Sequence, residues 1–287
     1  MENINWYPGH MKKTRELIQE NLKMVDLVAE VIDARIPVSS RNPIIEELTE
    51  HKARIVVFNK SDLADRSESE KWMAFLRKQG SPAAAVNAMS GGGVSALMKL
   101  LTEIDQEKNR QRQRQKPLRL MVAGVPNVGK SSLINRLTGR KSTQTGDRPG
   151  VTRGKQWLSL SNGMQLLDTP GILWPKFQDP REGLNLAFCG SIKDEVMNLE
   201  ELALELIRVL SDSYPQLLAA RYKLEALGET PLETMEAIAA RRGFLLSGKR
   251  VDYLRTARTV LDEFRSGAIG PITLERCEDM AEAAVKI

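Results

Sequence analysis

Gly124-Val125-Pro126-Asn127-Val128-Gly129-Lys130-Ser131 constrains the fold more than any other segment of this chain. It follows an apolar run, Leu118–Val122, and opens a helical one, Ser131–Leu137. A Gly-x4-Gly-Lys-Ser loop in that setting joins a buried strand to a helix and wraps backbone N–H groups around phosphate. A buried strand of this kind needs parallel neighbours reached through helical crossovers, and the sequence supplies them. Asp26–Asp33, Arg54–Asn59, Ala83–Ala88 and Leu118–Gly124 read as strands, while Lys12–Met24, Pro43–Thr49, Ser67–Gln79 and Val94–Lys108 read as helices. The expected fold class is α/β with a mostly parallel sheet covered on both faces. Gly154–Leu160 and Met164–Asp168, joined around Asn162-Gly163, add a hairpin.

Two further motifs give the loop a base and a metal. Asn59-Lys60-Ser61-Asp62 follows a strand. A carboxylate at Asp62 can accept from guanine N1–H and from the exocyclic amine, Asn59 can bond the purine edge, and the Lys60 stem can cover the base. A buried carboxylate left unpaired by adenine gives discrimination on the order of 10⁴-fold. Asp168-Thr169-Pro170-Gly171 ends the hairpin; Asp168 can hold Mg²⁺ and the Gly171 N–H can sense a γ-phosphate. In the phosphate loop the backbone of Asn127, Val128, Gly129, Lys130, Ser131 and Ser132 would cradle phosphate, Lys130 would reach the β- and γ-phosphates, and the Ser131 hydroxyl would ligate Mg²⁺. The implied ligands are GTP or GDP with Mg²⁺. In the usual small GTPase the phosphate loop comes first and the guanine reader near the end; here the order is rotated.

The remaining composition excludes more than it assigns. The 287 residues suffice for one large domain or two ordinary ones. No apolar run approaches the roughly 20 residues that span a bilayer, no signal-peptide pattern opens the chain, and Cys189 and Cys277 are too few for a disulfide framework. These features suggest a cytoplasmic protein with reduced thiols. Acidic residues outnumber basic ones from Leu186 onward, so the net charge of +5 comes from the preceding part. Lys108–Lys116, KNRQRQRQK, reads either as a solvated linker or as an arm that meets a polyanion. It lies where a rotated chain must join its former termini.

From about Asp194 the strand signal disappears. Val196, Leu199, Leu202, Ala203, Leu206, Ile207 and Leu210 fall at helical spacing, as do Val251, Leu254, Ala257, Leu261 and Phe264. Pro215, Pro231 and Pro271 punctuate further helices. The expected division is a nucleotide-binding domain over 1–175 and a small all-α domain over 176–287, with Trp174–Gly190 as the connection. Arg255, Arg258 and Arg265 form one stripe of the last helix with Asp262, downstream of Arg241, Arg242, Lys249 and Arg250. That stripe is either a solvated face or an RNA-phosphate surface.

With these motifs in place, the chain resembles the circularly permuted P-loop GTPases, most closely the ribosome biogenesis GTPase A (YlqF-like) family. The resemblance covers nearly the whole length. Its most specific parts are Trp6-Tyr7-Pro8-Gly9-His10-Met11 and Asp33-Ala34-Arg35-Ile36-Pro37 running into Ser39-Ser40-Arg41-Asn42-Pro43. The resemblance implies that Thr152, in Gly150-Val151-Thr152, ligates Mg²⁺ and closes over the γ-phosphate. It implies a second base-side loop at Asn87-Ala88-Met89-Ser90, where the family usually has Ser-Ala in place of Asn87-Ala88. His10 becomes the candidate for water activation, since Ile172 occupies the position where many GTPases carry a Gln. Asn127 is either a K⁺-binding residue, as in GTPases alike at that position, or an ordinary polar loop residue. His10, Lys130 and Thr152 form the expected catalytic set.

The function that the resemblance implies is a GTP-hydrolysing assembly factor that docks on rRNA of the large ribosomal subunit precursor, stimulated by that partner. Neither membrane nor DNA is expected as a partner. The alternative is a GTP-dependent regulator whose helical domain binds a protein. A kinase for a small molecule is a third class, disfavoured by the guanine reader.

Overall fold

The structure, a computed structural model, describes residues 8–139, 157–168 and 179–278. The strands are β1 (Leu27–Asp33), β2 (Ala53–Asn59), β3 (Ala83–Ala85), β4 (Arg119–Ala123), β5 (Trp157–Ser159) and β6 (Gln165–Asp168). They form one sheet in the order β3-β2-β1-β4-β6-β5, parallel throughout except for the β5–β6 hairpin pair. The helices α1 (Pro8–Leu22), α2 (Pro43–Leu48), α3 (Arg66–Lys78), α4 (Val94–Arg110) and α5 (Lys130–Thr138) accompany it.

Every residue of β1, Leu-Val-Ala-Glu-Val-Ile-Asp, is buried because both faces of the sheet are covered. On one face Val28, Met121 and Leu167 pack with Ile18, Leu22 and Ile45, and Ile32, Val56 and Phe58 with Trp72 and Leu76. On the other, Ala29, Val31, Ile55, Val57, Leu120 and Val122 meet Leu97, Leu101, Leu133 and Ile134. Besides Asp33 at its end, Glu30 is the polar residue of β1. Burial pushes its carboxyl up, against the pull of Arg41 and Arg54, and Arg41 Nε lies 3.4 Å from it.

The second half is helical: α6 (Pro180–Phe188), α7 (Leu199–Ser213), α8 (Pro215–Tyr222), α9 (Pro231–Arg242) and α10 (Tyr253–Arg265). Pro180, Pro215 and Pro231 each open a helix, where their missing N–H costs nothing. Thr230 and Glu233 close a capping box on α9. Leu206, Ile207 and Leu210 of α7 and Ala257, Val260, Leu261 and Phe264 of α10 belong to the same buried cluster as the sheet residues above.

The helical half departs from expectation at four places. The connecting segment is not featureless, since α6 fills its second part behind the Asp179 cap. Val196 lies in a 3-10 turn and is 55% exposed, because Asn198 starts α7 after it. Val251 sits in an antiparallel bridge with Leu245 rather than in α10, which Asp252 caps. Residues 271–276 are not helical. They run back over the sheet domain as a strap, with Ile272 N donating to Leu63 O (2.9 Å) and Leu274 N to Arg35 O (2.8 Å). The Glu275 carboxylate accepts from the N–H groups of Val38 (2.6 Å) and Ser39 (3.1 Å), while Trp72 Nε1 donates to Glu275 O (2.9 Å). Burial pushes the Glu275 carboxyl up despite these donors.

The basic stretch, which begins in the last turn of α4, is tied down in part. Lys108 Nζ donates to Asp26 O (2.9 Å) and Arg112 pairs with the Asp26 carboxylate. Asp26 precedes β1, so this linker lies at the N-terminal edge of the strands. No helix among the described residues is long and apolar enough to cross a membrane.

Because the helical and sheet parts share one core cluster, truncating a side chain in α7 should weaken the whole chain. Leu206→Ala, at a fully buried position, should lower the free energy of unfolding by about 2–5 kcal/mol, read as a shifted midpoint in urea denaturation.

Candidate guanine-nucleotide site

Parallel strands place the loops that follow them along one edge of the sheet, and ligands bind there. The loops after β2, β3 and β4 meet at that edge around a cleft of about 500 Å³, a size suited to a small-molecule ligand. Asn59, Lys60, Asp62, Asn87, Ala88, Asn127, Gly129, Lys130, Ser131 and Ser132 all line it. Val128 does not; it is buried, and its carbonyl serves the neighbouring loop.

Asn59 ties three loops together. Its Nδ2 donates to Val128 O (2.7 Å) in the phosphate loop, and its Oδ1 accepts from Ala88 N (3.0 Å) in the second base-side loop. One Nδ2 hydrogen remains for a purine edge. The Ala88 N–H, expected to face the base, would share its hydrogen with Asn59. Asn87, the departure from Ser, has a local duty: its Oδ1 accepts from Met89 N and Ser90 N, both at 2.9 Å, and so shapes the loop.

The two motif glycines answer to this packing as well as to phosphate. A Cβ on Gly129 (φ +91°) would lie 2.2 Å from Asn59 Nδ2, and one on Gly124 (φ +152°) 2.3 Å from Val31 O. Only a residue without a side chain allows these approaches. The loop then enters α5, whose first N–H groups carry the field that favours an anion. Lys130 is buried at the start of α5 with Nζ donating to Val125 O (2.7 Å). Asn127 takes a left-handed φ of 60°, and its Nδ2 donates to Gly190 O (2.6 Å) at the end of α6.

Asp33, at the end of β1, adds charge behind the base reader. Its carboxylate holds Lys60 Nζ at 2.9 Å and Arg35 Nη2 at 2.8 Å. Burial alone would raise the Asp33 carboxyl, but the Arg35 guanidinium and the Lys60 ammonium hold it well below the usual carboxylate range. Hard oxygen donors, the Ser131 hydroxyl with Asp168 and Thr152, suit Mg²⁺. Ser131 lines the cleft, and Asp168 closes β6 in register with Val122 of β4, two residues before the phosphate loop. The Asp168 side chain lies outside the described residues, as do Thr152, Gly171 and Ile172. His10 falls in the first turn of α1, and its side chain is likewise outside them.

Two cleft residues lie outside the motifs of the sequence: Leu63 and Arg265. Leu63 directly follows Asp62 and is within reach of sequence reasoning. Arg265 is not. It was grouped with the outward stripe, yet it turns inward, pairing with Asp194 (2.8 Å) and donating to the carbonyls of Ala187 (2.9 Å) and Phe188 (3.1 Å). The carbonyls exposed at the end of α6 provide partners that no spacing pattern could announce.

A phosphate loop at a helix start and the Asn59–Asp62 motif two strands away, encoded in rotated order on a mostly parallel sheet, define a circularly permuted GTPase. The chain matches the family described as 50S ribosome-binding GTPase over residues 119–232. It is 46% identical to Ribosome biogenesis GTPase A of Priestia megaterium, over 95% of this chain and 96% of that one. It is 34% identical to Mitochondrial ribosome-associated GTPase 1 of Bos taurus, over 94% of this chain and 88% of the relative. The crystal structure of GNP-bound YlqF from T. maritima superposes with a TM-score of 0.70 at 28% identity, over 92% of this chain and 98% of that one. The chain belongs to the ribosome biogenesis GTPase A family.

Asn59→Ala removes two hydrogen bonds worth about 1 kcal/mol each. GDP affinity measured by calorimetry should therefore fall roughly tenfold to hundredfold, with the fold retained by circular dichroism.

Proposed function

We propose that this chain is a GTP-hydrolysing assembly factor of the cytoplasm that docks on rRNA of the large ribosomal subunit precursor. Residues 1–175 bind and hydrolyse the nucleotide, and residues 176–287 form the helical part that faces RNA. The observation that carries the nucleotide half is the convergence of the base-reading, base-side and phosphate loops on one cleft. Asp62 reads guanine, the Lys60 stem covers the base, and the loop from Asn127 to Ser132 holds the phosphates. Ser131, Thr152 and Asp168 hold Mg²⁺, which when bound neutralises charge on the phosphates. Lys130 balances charge on the transferred phosphoryl group, Gly171 senses its presence, and His10 orients water in place of Ile172. With Nδ2 of Asn127 committed to Gly190, its carboxamide oxygen is the atom that would meet K⁺.

The names of the relatives support the ribosomal half, together with the surface that the helical part presents. Arg241, Lys249, Arg250, Arg255 and Arg258 are exposed, and Arg255 stacks over Phe244 at 4.4 Å. Such cations suit the phosphate backbone of folded RNA. Arg242 is drawn off to Glu263 and Arg265 to Asp194. A second reading keeps the switch but gives it a protein partner. The half-exposed Leu245, Leu246 and Leu254 among those cations favour it.

Sedimentation on a ribosome gradient with a non-hydrolysable GTP analogue separates the two. Co-migration with large-subunit particles is the expected result; recovery at the top of the gradient with a bound protein would favour the second. For His10, the expected outcome of His10→Ala is a partner-stimulated hydrolysis rate about 10²-fold lower or worse, with GTP affinity nearly intact. Unchanged stimulated turnover would remove His10 from the mechanism.

A further inference from the structure

The block Asp33-Ala34-Arg35 is one of the most specific parts of the sequence, yet none of its residues lines the cleft. Both charged side chains are 1% exposed. The Arg35 fork grips Asp33 through Nε–Oδ1 (2.9 Å) and Nη2–Oδ2 (2.8 Å). Its remaining arm, Nη1, donates to the carbonyls of Phe264 (3.2 Å) and Arg265 (3.3 Å) in the last turn of α10, and the guanidinium lies 5.1 Å from the centre of the Phe264 ring. Asp33 in turn holds Lys60 Nζ.

Stability alone does not explain such a pair, because apolar residues of similar volume commonly serve a core as well or better. Geometry gives a better account. Lys60 sits at φ 57°, a conformation that disfavours residues with a side chain, so its backbone is held from outside. Ser61 N donates to Val86 O (3.1 Å) and Leu63 N to Lys60 O (2.9 Å); at the tip of the side chain, Asp33 fixes the ammonium. The stem between these anchors is the part that would lie on the base. Arg265, whose carbonyl Arg35 holds, itself lines the cleft and reaches on to Asp194.

We propose that Asp33 and Arg35 are positioning residues that couple the base site to the helical domain: Asp33 fixes Lys60 over the base, and Arg35 makes that fixing depend on the last turn of α10. By linkage, a bound nucleotide holds the end of α10 in place, and a partner that shifts α10 weakens nucleotide binding by the same free energy, a loss that shows mostly as faster release. This rests on the guanine site proposed above. The ligand class is a guanine nucleotide, read here through release of GDP.

Arg35→Lys in the full chain tests it. Lysine keeps a cation beside Asp33 but cannot span Asp33 and two α10 carbonyls at once. GDP release should accelerate about fivefold or more, while single-turnover cleavage at saturating GTP changes by less than about twofold. Combining Arg35→Lys with Lys60→Gln should add nothing to the release rate of Lys60→Gln alone, since both act through one side chain. Additive effects, or release at the wild-type rate from a folded Arg35→Lys protein, overturn the coupling. If that variant fails to fold, hydrogen exchange on the wild-type chain decides. The amides of Ser266, Gly267 and Ala268, which close the end of α10, should exchange more slowly with GDP bound, and equal exchange with and without GDP overturns the proposal. A wild-type chain that binds no GDP overturns the site reading itself, and this coupling with it.

Discussion

β1 pairs with β2 on one side and β4 on the other, and that pairing decides where every functional loop meets. Asp33 stands in register with Asn59, and Glu30 with Ala123. The loop after β1 is thereby wedged between the guanine reader and the phosphate loop. Parallel pairing demands only that strands lie side by side and that crossovers return across a face; it does not demand an order along the chain. A rotated sequence can therefore build the same edge, provided its former ends can be joined. Here the joint is the basic stretch that begins in the last turn of α4, fastened to Asp26 at the far edge of the strands, where it leaves the nucleotide edge clear.

That geometry explains which parts of the site are legible in the sequence. A phosphate loop carries its own chemistry in a short run: two glycines for close approach, a lysine, a hydroxyl. The same holds for Asn59 through Asp62, and Asn59, Lys60 and Asp62 meet Asn127, Gly129, Lys130 and Ser131 at one cleft. The strand runs were legible for the same reason, since a strand buried on two faces is apolar almost throughout. β3 proved shorter than its run because the chain leaves Ala85 to build the loop that Asn87 organises.

Other features were illegible because their causes lie far apart in sequence. Arg265 shares the helical spacing of Arg255 and Arg258, and periodicity places the three on one stripe. Only the end of α6, with the carbonyls of Ala187 and Phe188 turned towards it and Asp194 nearby, turns it inward. The strap at 271–276 has the composition of a helix start after proline. Its partners are Leu63, Arg35, Val38, Ser39 and Trp72, some 200 residues away in the chain, and no local signal could name them.

These long-range ties change what the helical half can do. It touches the nucleotide edge at three separate points: Gly190 O on the phosphate-loop Asn127, the α10 carbonyls on Arg35, and the strap beside Leu63 and the Asp33 block. A domain tethered only by a linker could report a phosphate state through the switch segments alone. Under the coupling proposed above, a domain seated at these points around the cleft would sense the base as well as the γ-phosphate. The contacts also differ in strength. The Arg35 fork is buried and charge-assisted, whereas the Asn127 bond is single, neutral and exposed. Under that coupling, the contact to yield first while the domain stays attached would be the one at the phosphate loop, with Asp33 and Arg35 holding.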